Sequence, residues 1–366
     1  MIRRIHKSSK APPDRWLFAI VGILSFFGIL MVYDSSVAIA IREFADQYYF
    51  VKEQFRWLII GWFVCSFCTL FDYHRWYKLA LPLLGITVVL LLAVFFPGIG
   101  VRALGANRWI NLGFFILQPA ELAKFSIVVY LAAWFSVKEK GRFLAFLILI
   151  AMVFGLVIIE PDMGTAAIIL LIALSLYFFS GAPLWHFGML LPILAVGFIG
   201  LAVVSPYRMQ RLTSFINREH DPLGASYQIR QILLSLGSGG VFGLGLGQSR
   251  QKYEYLPEAN TDAIFAIIGE ELGFIGAIGV ICFYAMLLWR GFRIAKEAPD
   301  RFGQLLAAGV TSWIGIQTTL NLAAMVAIMP LTGIPLPLIS YGGSSLVSVL
   351  AGLGILLNVS RQRKVS

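Results

Sequence analysis

The chain has 366 residues, of which 59% are hydrophobic and only 13% charged. A soluble domain is about half apolar and one quarter charged, so this composition excludes a soluble fold. The formal net charge of +10 does not mark a nucleic-acid binder, because Lys and Arg sit in short segments between apolar blocks and form no stripe with aromatics.

The basic opening, MIRRIHKSSKAPPDRW, runs directly into the apolar stretch 17–32 with no small-residue cleavage site, which predicts an uncleaved first span. Apolar blocks then fall at about 16–33, 55–71, 78–96, 116–135, 143–159, 164–180, 184–204, 262–289, 305–329 and 338–358. Roughly 20 apolar residues cross a ~30 Å hydrocarbon core, so each block predicts one helix. The expected fold class is an all-α polytopic membrane protein with about ten transmembrane helices, one membrane domain over residues 1–366. Spans five and six are short and hinge at Glu160-Pro161-Asp162.

An even number of spans puts both termini on one side. Arg3, Arg4, Lys7, Lys10, Lys138, Lys140, Arg142, Arg361, Arg363 and Lys364 make that side the cytoplasm by the positive-inside rule. Cys65 and Cys68 form a lone CxxC inside an apolar block, and Cys282 sits in another, which reads as small packing residues. The histidines are scattered, so no metal site is expected.

One connection departs from this regular pattern. Residues 205–261 form a long outer loop between spans seven and eight, and long structureless loops are uncommon unless functional. It opens with Pro206, Arg208 and Arg211, and carries an amphipathic run at 227–236 suited to the interface. It then becomes glycine-rich (LGSGGVFGLGLG) and ends in KYEYLPEANTD, which contributes Lys252, Glu258 and Asp262. The glycines precede no Lys-Ser/Thr and follow no strand, so a phosphate loop is excluded and close backbone packing is expected.

Ionisable residues inside spans are costly and mark function or paired structure. Span four carries Gln118, Glu121 and Lys124 on one side. Glu121 and Lys124, three apart, can pair, and Lys124 is expected about 12 Å down. Span eight carries Asp262 at its outer mouth and Glu270 and Glu271 about 12 Å further, so Lys124 is also placed to neutralise one of those acids. Glu270 and Glu271 read as packing charges, whereas Asp262 is expected to face a cavity open to the outside. In VRALGANRWINLG, Arg102, Arg108 and Trp109 serve either as interface anchors or as binders of an anion such as a diphosphate. The last outer connection, MPLTGIPLPLISYGGSS, must be broken or re-entrant, with freed backbone groups facing protein and with Ser340, Tyr341, Ser344 and Ser345 placed to line a cavity.

Together, GANRWINLGFFILQPAELAK, EPDMGTA, KYEYLPEANTDAIFAIIGEELGFIG and GIPLPLISYGGSS closely resemble the SEDS family (shape, elongation, division and sporulation). The resemblance runs in order over about residues 33–358. YLPEANTD and the EEL after it look more like the cell-division branch and its sporulation relative than the elongation branch. The chain departs from the family at Asp34, where serine is usual, at Ala120 within QPAE, and at Asn260, where histidine commonly precedes Thr-Asp.

The resemblance implies a peptidoglycan glycosyltransferase that polymerises lipid II, a disaccharide-pentapeptide on undecaprenyl diphosphate, at the outer face of the cytoplasmic membrane. It implies a cognate class B penicillin-binding transpeptidase and other division proteins as partners, and maps the family's essential aspartate to Asp262. The chemistry is consistent with this. Joining an α-linked sugar diphosphate to a hydroxyl with a β product is an inversion, which needs one base and cations for the leaving group. Asp262 is the candidate base. Arg102, Arg108, Lys124, Arg208 and Arg211 are candidate cations, and Trp109, Glu121, Lys252, Glu258 and the four residues at 340–345 complete the substrate-binding set. No cofactor is required, although a magnesium or manganese ion would suit the diphosphate. The competing readings are a lipid II flippase, which ten spans and broken helices also suit, and an inert scaffold for division proteins.

Overall fold

The apolar blocks fold as long helices in a computed structural model that describes residues 12–103, 106–111, 113, 115–137, 139, 141–204, 206–216, 225–253 and 255–362. Of the basic residues that set the orientation, Arg3, Arg4, Lys7, Lys10, Lys138, Lys140, Arg363 and Lys364 lie outside the described residues.

Helix α1 covers Arg15–Phe44, α2 Tyr49–Leu70 and α3 His74–Ala93. Asp14 starts α1 by accepting the Leu17 N–H at 2.9 Å, satisfying one of the orphan donors of a helix N-terminus. Strands β1 (Gly100–Ala103), β2 (Ala106–Asn111) and β3 (Ile116–Leu117) follow as a small antiparallel sheet in the order β1-β2-β3. This sheet was not expected from the sequence. Its strands are too short and too interrupted by glycine for a period-two pattern to stand out.

The chain then forms α4 (Pro119–Ser136), α5 (Phe143–Ile159), α6 (Met163–Phe179) and α7 (Leu184–Val204). The long outer connection holds α8 (Pro206–Ile216) and α9 (Ala225–Ser238), and the second of these contains the expected amphipathic run. Finally come α10 (Ile264–Glu297), α11 (Arg301–Met325) and α12 (Gly343–Arg361). The apolar blocks thus correspond to α1–α7 and α10–α12, although α1 runs eleven residues beyond its block.

By length and apolarity α1, α3, α7, α10 and α12 suit a membrane crossing, and α5 and α6 are shorter apolar helices. Helix α4 is different, because it is buried along nearly its whole length among α3, α6, α11 and α12. A helix enclosed by protein can carry charge, and α4 does so with Glu121 and Lys124. Apolar burial gives no drive between helices in lipid, so close approach through small residues matters more. Gly354 of α12 supplies such an approach, since a Cβ there would meet the Cys65 carbonyl and the Cys68 side chain of α2. Both thiols are buried there as packing groups, as the sequence suggested, whereas Cys282 on α10 is exposed and departs from that reading.

The connection between α11 and α12 is irregular, and its carbonyls are met by side chains of the surrounding spans. Asn321 donates to Ile334 O at 2.8 Å, Gln317 to Pro335 O at 2.9 Å, Tyr284 to Pro337 O, and Gln54 to Ser340 O at 3.2 Å. That is the condition for non-helical backbone beside a bilayer.

Candidate active site

Asp262 sits two residues ahead of α10, where the end of the outer loop meets the α11–α12 connection. Its backbone is fixed on both sides. Asn321 of α11 donates to the Asp262 carbonyl at 2.8 Å, Ser340 donates to the Thr261 carbonyl, and the Tyr341 N–H donates to the Asn260 carbonyl at 2.9 Å. Thr261 in turn donates to a Glu258 carboxylate oxygen at 2.7 Å.

Asp262 is only 7% exposed, so its side chain does not face the open cavity expected from the sequence. Packing of the 255–263 turns against the α11–α12 connection encloses it. Burial pushes its carboxyl up to about 7; the neighbouring Glu258 charge adds to this and Arg211 opposes it. Arg211, from α8, is anchored by donating to Leu331 O at 2.9 Å. Asp262, Glu258, Arg211, Ser340 and Tyr341, five of the residues singled out from the sequence, therefore converge.

A second group meets the same connection at α12. Arg108 of β2 donates to the carbonyls of Glu160 (3.1 Å) and Pro161 (2.6 Å), tying the sheet to the α5–α6 turn. Asp162 caps α6 by accepting from Thr165 N at 2.9 Å, and also accepts from Gln118 Nε2 at 3.2 Å. Ser344 accepts from the Gln118 N–H at 3.2 Å. Glu160, at the end of α5, is fully buried, and among the described residues neither carboxylate oxygen has a hydrogen-bond partner. Burial, reinforced by Asp162 and opposed by Arg108, pushes its carboxyl up to about 8. Trp109 is half-buried on β2 and Ser345 is buried on α12. Arg102 lies on β1 and Arg208 on α8, with side chains outside the described residues.

Two expected cations have other roles. Lys124 is five residues into α4, about 7.5 Å along its axis rather than 12 Å. It is fully buried, 2.8 Å from Glu121 and donating to Gln317 at 2.9 Å. It does not neutralise a span-eight acid, because α11 supplies the group that faces it. Glu271 is met instead by Lys252 at 2.9 Å, and the same ammonium lies 2.7 Å from Asp34 of α1. Burial alone would lower the Lys252 pKa, but the two carboxylates hold it above the usual lysine value. Lys252 thus pins the outer loop to α1 and α10.

Glu270 and Glu271 also have a packing role. Glu270 accepts from Ser235 (3.1 Å), Ser249 Oγ (2.5 Å) and Arg250 N (3.1 Å). Glu271 accepts from the N–H groups of Gly247 (3.1 Å) and Ser249 (3.0 Å). Sequence reasoning missed Gln54, Gln317 and Asn321. Their signal was available, since Gln317 and Asn321 lie within a predicted span and Gln54 at the edge of one, and buried amides need partners. Among the described residues no group of three or more His, Cys, Asp or Glu side chains is placed to hold a metal ion.

Comparison with known proteins adds an independent line. The family model described as Cell cycle protein, which joins FtsW, RodA and SpoVE, matches residues 14–365. The chain is 41% identical over 360 residues to the stage V sporulation protein E of Bacillus subtilis, covering 97% of this chain and 98% of that one. It is 40% identical over 344 residues to the probable peptidoglycan glycosyltransferase FtsW of Thioalkalivibrio sulfidiphilus, covering 92% and 86%. It also superposes on a chain of a solved peptidoglycan synthase complex that coordinates polymerization and crosslinking. That match has a TM-score of 0.81 at 29% identity and covers 97% of this chain and 99% of the other.

Proposed function

Because the chain belongs to the cell cycle protein family of FtsW, RodA and SpoVE, we propose that it is a peptidoglycan glycosyltransferase whose base is Asp262. It polymerises lipid II at the outer face of the cytoplasmic membrane. The geometry that carries the site is Asp262 set beside Glu258 and Arg211 on a backbone held by Asn321 and Ser340, where burial raises its carboxyl to about 7. A base is most useful when its pKa lies near the working pH.

In the proposed step the 255–263 turns part from the α11–α12 connection to admit the substrates, and the acceptor sugar's 4-hydroxyl attacks the anomeric carbon of the donor. Its proton passes to the Asp262 carboxylate, the new glycosidic C–O bond forms, and the C–O bond to phosphate breaks. The electron pair leaves with the lipid diphosphate, and the configuration inverts. Arg211 and Arg108, with Arg102 and Arg208 on adjoining elements, are the proposed cations for that leaving group. Trp109, Tyr341, Ser344 and Ser345 are further proposed substrate contacts. A magnesium or manganese ion would further stabilise the diphosphate. Lys124 and Lys252 act as internal counter-ions, and Glu121 as the partner of the first.

A class B penicillin-binding transpeptidase is the proposed partner, on the likeness to a synthase complex that also crosslinks. The relatives include both division and sporulation proteins, so other proteins of those assemblies are further candidates. The deciding experiment is polymerisation of purified lipid II by the purified protein, with and without its partner, for wild type and Asp262→Asn. Polymer from wild type alone supports the reading. Translocation of lipid II across vesicles with no polymer from either would replace it with the flippase.

A further inference from the structure

The glycine-rich segment 239–247 plays no part in the proposed chemistry, yet it is built into the side of α10. Leu244 N donates to Glu270 O and Gly245 N to Glu271 O, both at 3.0 Å. In return Phe274 N donates to Gly240 O at 2.9 Å and Ile275 N to Val241 O at 3.2 Å. Helix α10 is interrupted for this purpose at Gly273, whose φ of +67° and ψ of −166° turn its backbone toward the segment. A Cβ on Gly243 would meet the Glu271 backbone, and one on Gly273 would meet Gly243 N and Val241 O. The two pieces of backbone touch directly because neither has a side chain between them.

The level of this contact follows from α10 itself. A span needs about 20 residues. Counted back from Arg290, the first charged residue toward the other end, such a span reaches Glu270. Gly273–Ile275 and the segment bonded to them then lie roughly 5–8 Å inside that boundary. Side chains of the segment point away from the protein. Phe242 is 81% exposed, Leu246 68% and Val241 57%, beside Phe274 and Ile275 of α10, which are also exposed. In water this would be a contiguous apolar patch of a kind that monomeric soluble surfaces rarely show.

We propose that residues 239–247 form a wedge inserted in the leaflet on the Asp262 side, with Val241, Phe242, Leu244 and Leu246 among lipid acyl chains. The occupant is the acyl region because the backbone polar groups named above are satisfied by α10, which non-helical backbone at that depth requires. The apolar face also continues without a break into that of α10. On the opposite side, Glu270 and Glu271 hold the following turn through Ser249 and Lys252. The wedge and the buried charges thus fix the outer loop at one depth.

The test is spin labelling of Phe242→Cys, and separately Leu246→Cys, in a Cys282→Ser background, since Cys65 and Cys68 are buried. The full chain is reconstituted in phosphatidylethanolamine–phosphatidylglycerol vesicles, and label collisions with oxygen and with a water-soluble nickel chelate are compared. Oxygen collisions exceeding nickel collisions several-fold at both positions are expected. Predominant nickel collisions place the segment in water and overturn the proposal. Low collisions with both reagents place it under protein, which also overturns it. The readout does not use enzymatic activity, so it stands or falls separately from the assignment of Asp262.

Discussion

Asn321 donates its single side-chain amide group both to the Asp262 carbonyl and to the Ile334 carbonyl, each at 2.8 Å. One buried residue of α11 therefore sets the distance between the candidate base and the α11–α12 connection. Asn321→Leu removes both donations and leaves two buried carbonyls unpaired, at about 1–3 kcal/mol each. If the loss at the Asp262 carbonyl falls on positioning of the base, polymerisation drops roughly tenfold to a hundredfold. The expected change is in kcat, with KM for lipid II and partner binding near wild type. A KM-only effect would show that Asn321 shapes binding instead.

The pH dependence follows from the raised Asp262 carboxyl. Polymerisation requires the ionised form, so kcat is expected to rise with pH through a midpoint near 7. Glu258→Gln removes a negative neighbour, lowers the Asp262 pKa and moves the midpoint to more acidic pH. Stability runs the other way. Because the folded pKa lies above the ordinary 3.8, this group's contribution is complete below that value and is lost as pH rises toward 7. An unchanged midpoint in Glu258→Gln would show that the observed ionisation belongs to another group.

Much of this architecture was legible in the sequence because the bilayer imposes so strict a length and composition. The ten helices, the amphipathic α9, the Glu121–Lys124 pair and the broken 329–345 connection were all readable on that ground. What the sequence could not show was which partner answers each charge. Lys124 at three residues from Glu121 has a visible local partner, but Gln317 reaches it from 193 positions away. Lys252 meets Asp34 across 218 positions, a contact that only the packing of α1 against α10 creates. The glycine run was read as tight backbone packing, which it is. Its attachment to a break in α10 was hidden, because an isolated glycine such as Gly273 looks the same in an unbroken span.

That break gives a direct stability test. Gly273→Ala adds a Cβ against the backbone of Val241 and Gly243 and strains a positive φ, for an expected loss of about 2–4 kcal/mol. Gly240→Ala is the control. It has a positive φ of 54° but open space around the added carbon, so only about 1 kcal/mol is expected. Thermal unfolding of the two variants in the same detergent separates them. Equal losses would mean that the segment does not press on α10 as described.

The fully buried Lys124 decides between two roles for a cation near the site. As an internal counter-ion, it pairs with Glu121 inside α4 and links α4 to α11 through Gln317. Lys124→Met then leaves Glu121 without its counter-ion, and removing one partner of a buried pair costs about 3–5 kcal/mol. The double variant Lys124→Met, Glu121→Gln has no charge to strand and should regain most of the lost stability. As a diphosphate ligand, Lys124 would behave differently: the single variant would unfold normally, KM for lipid II would rise, and the second substitution would repair nothing. Wild-type stability in Lys124→Met with a raised KM is therefore the result that would return this residue to the substrate site.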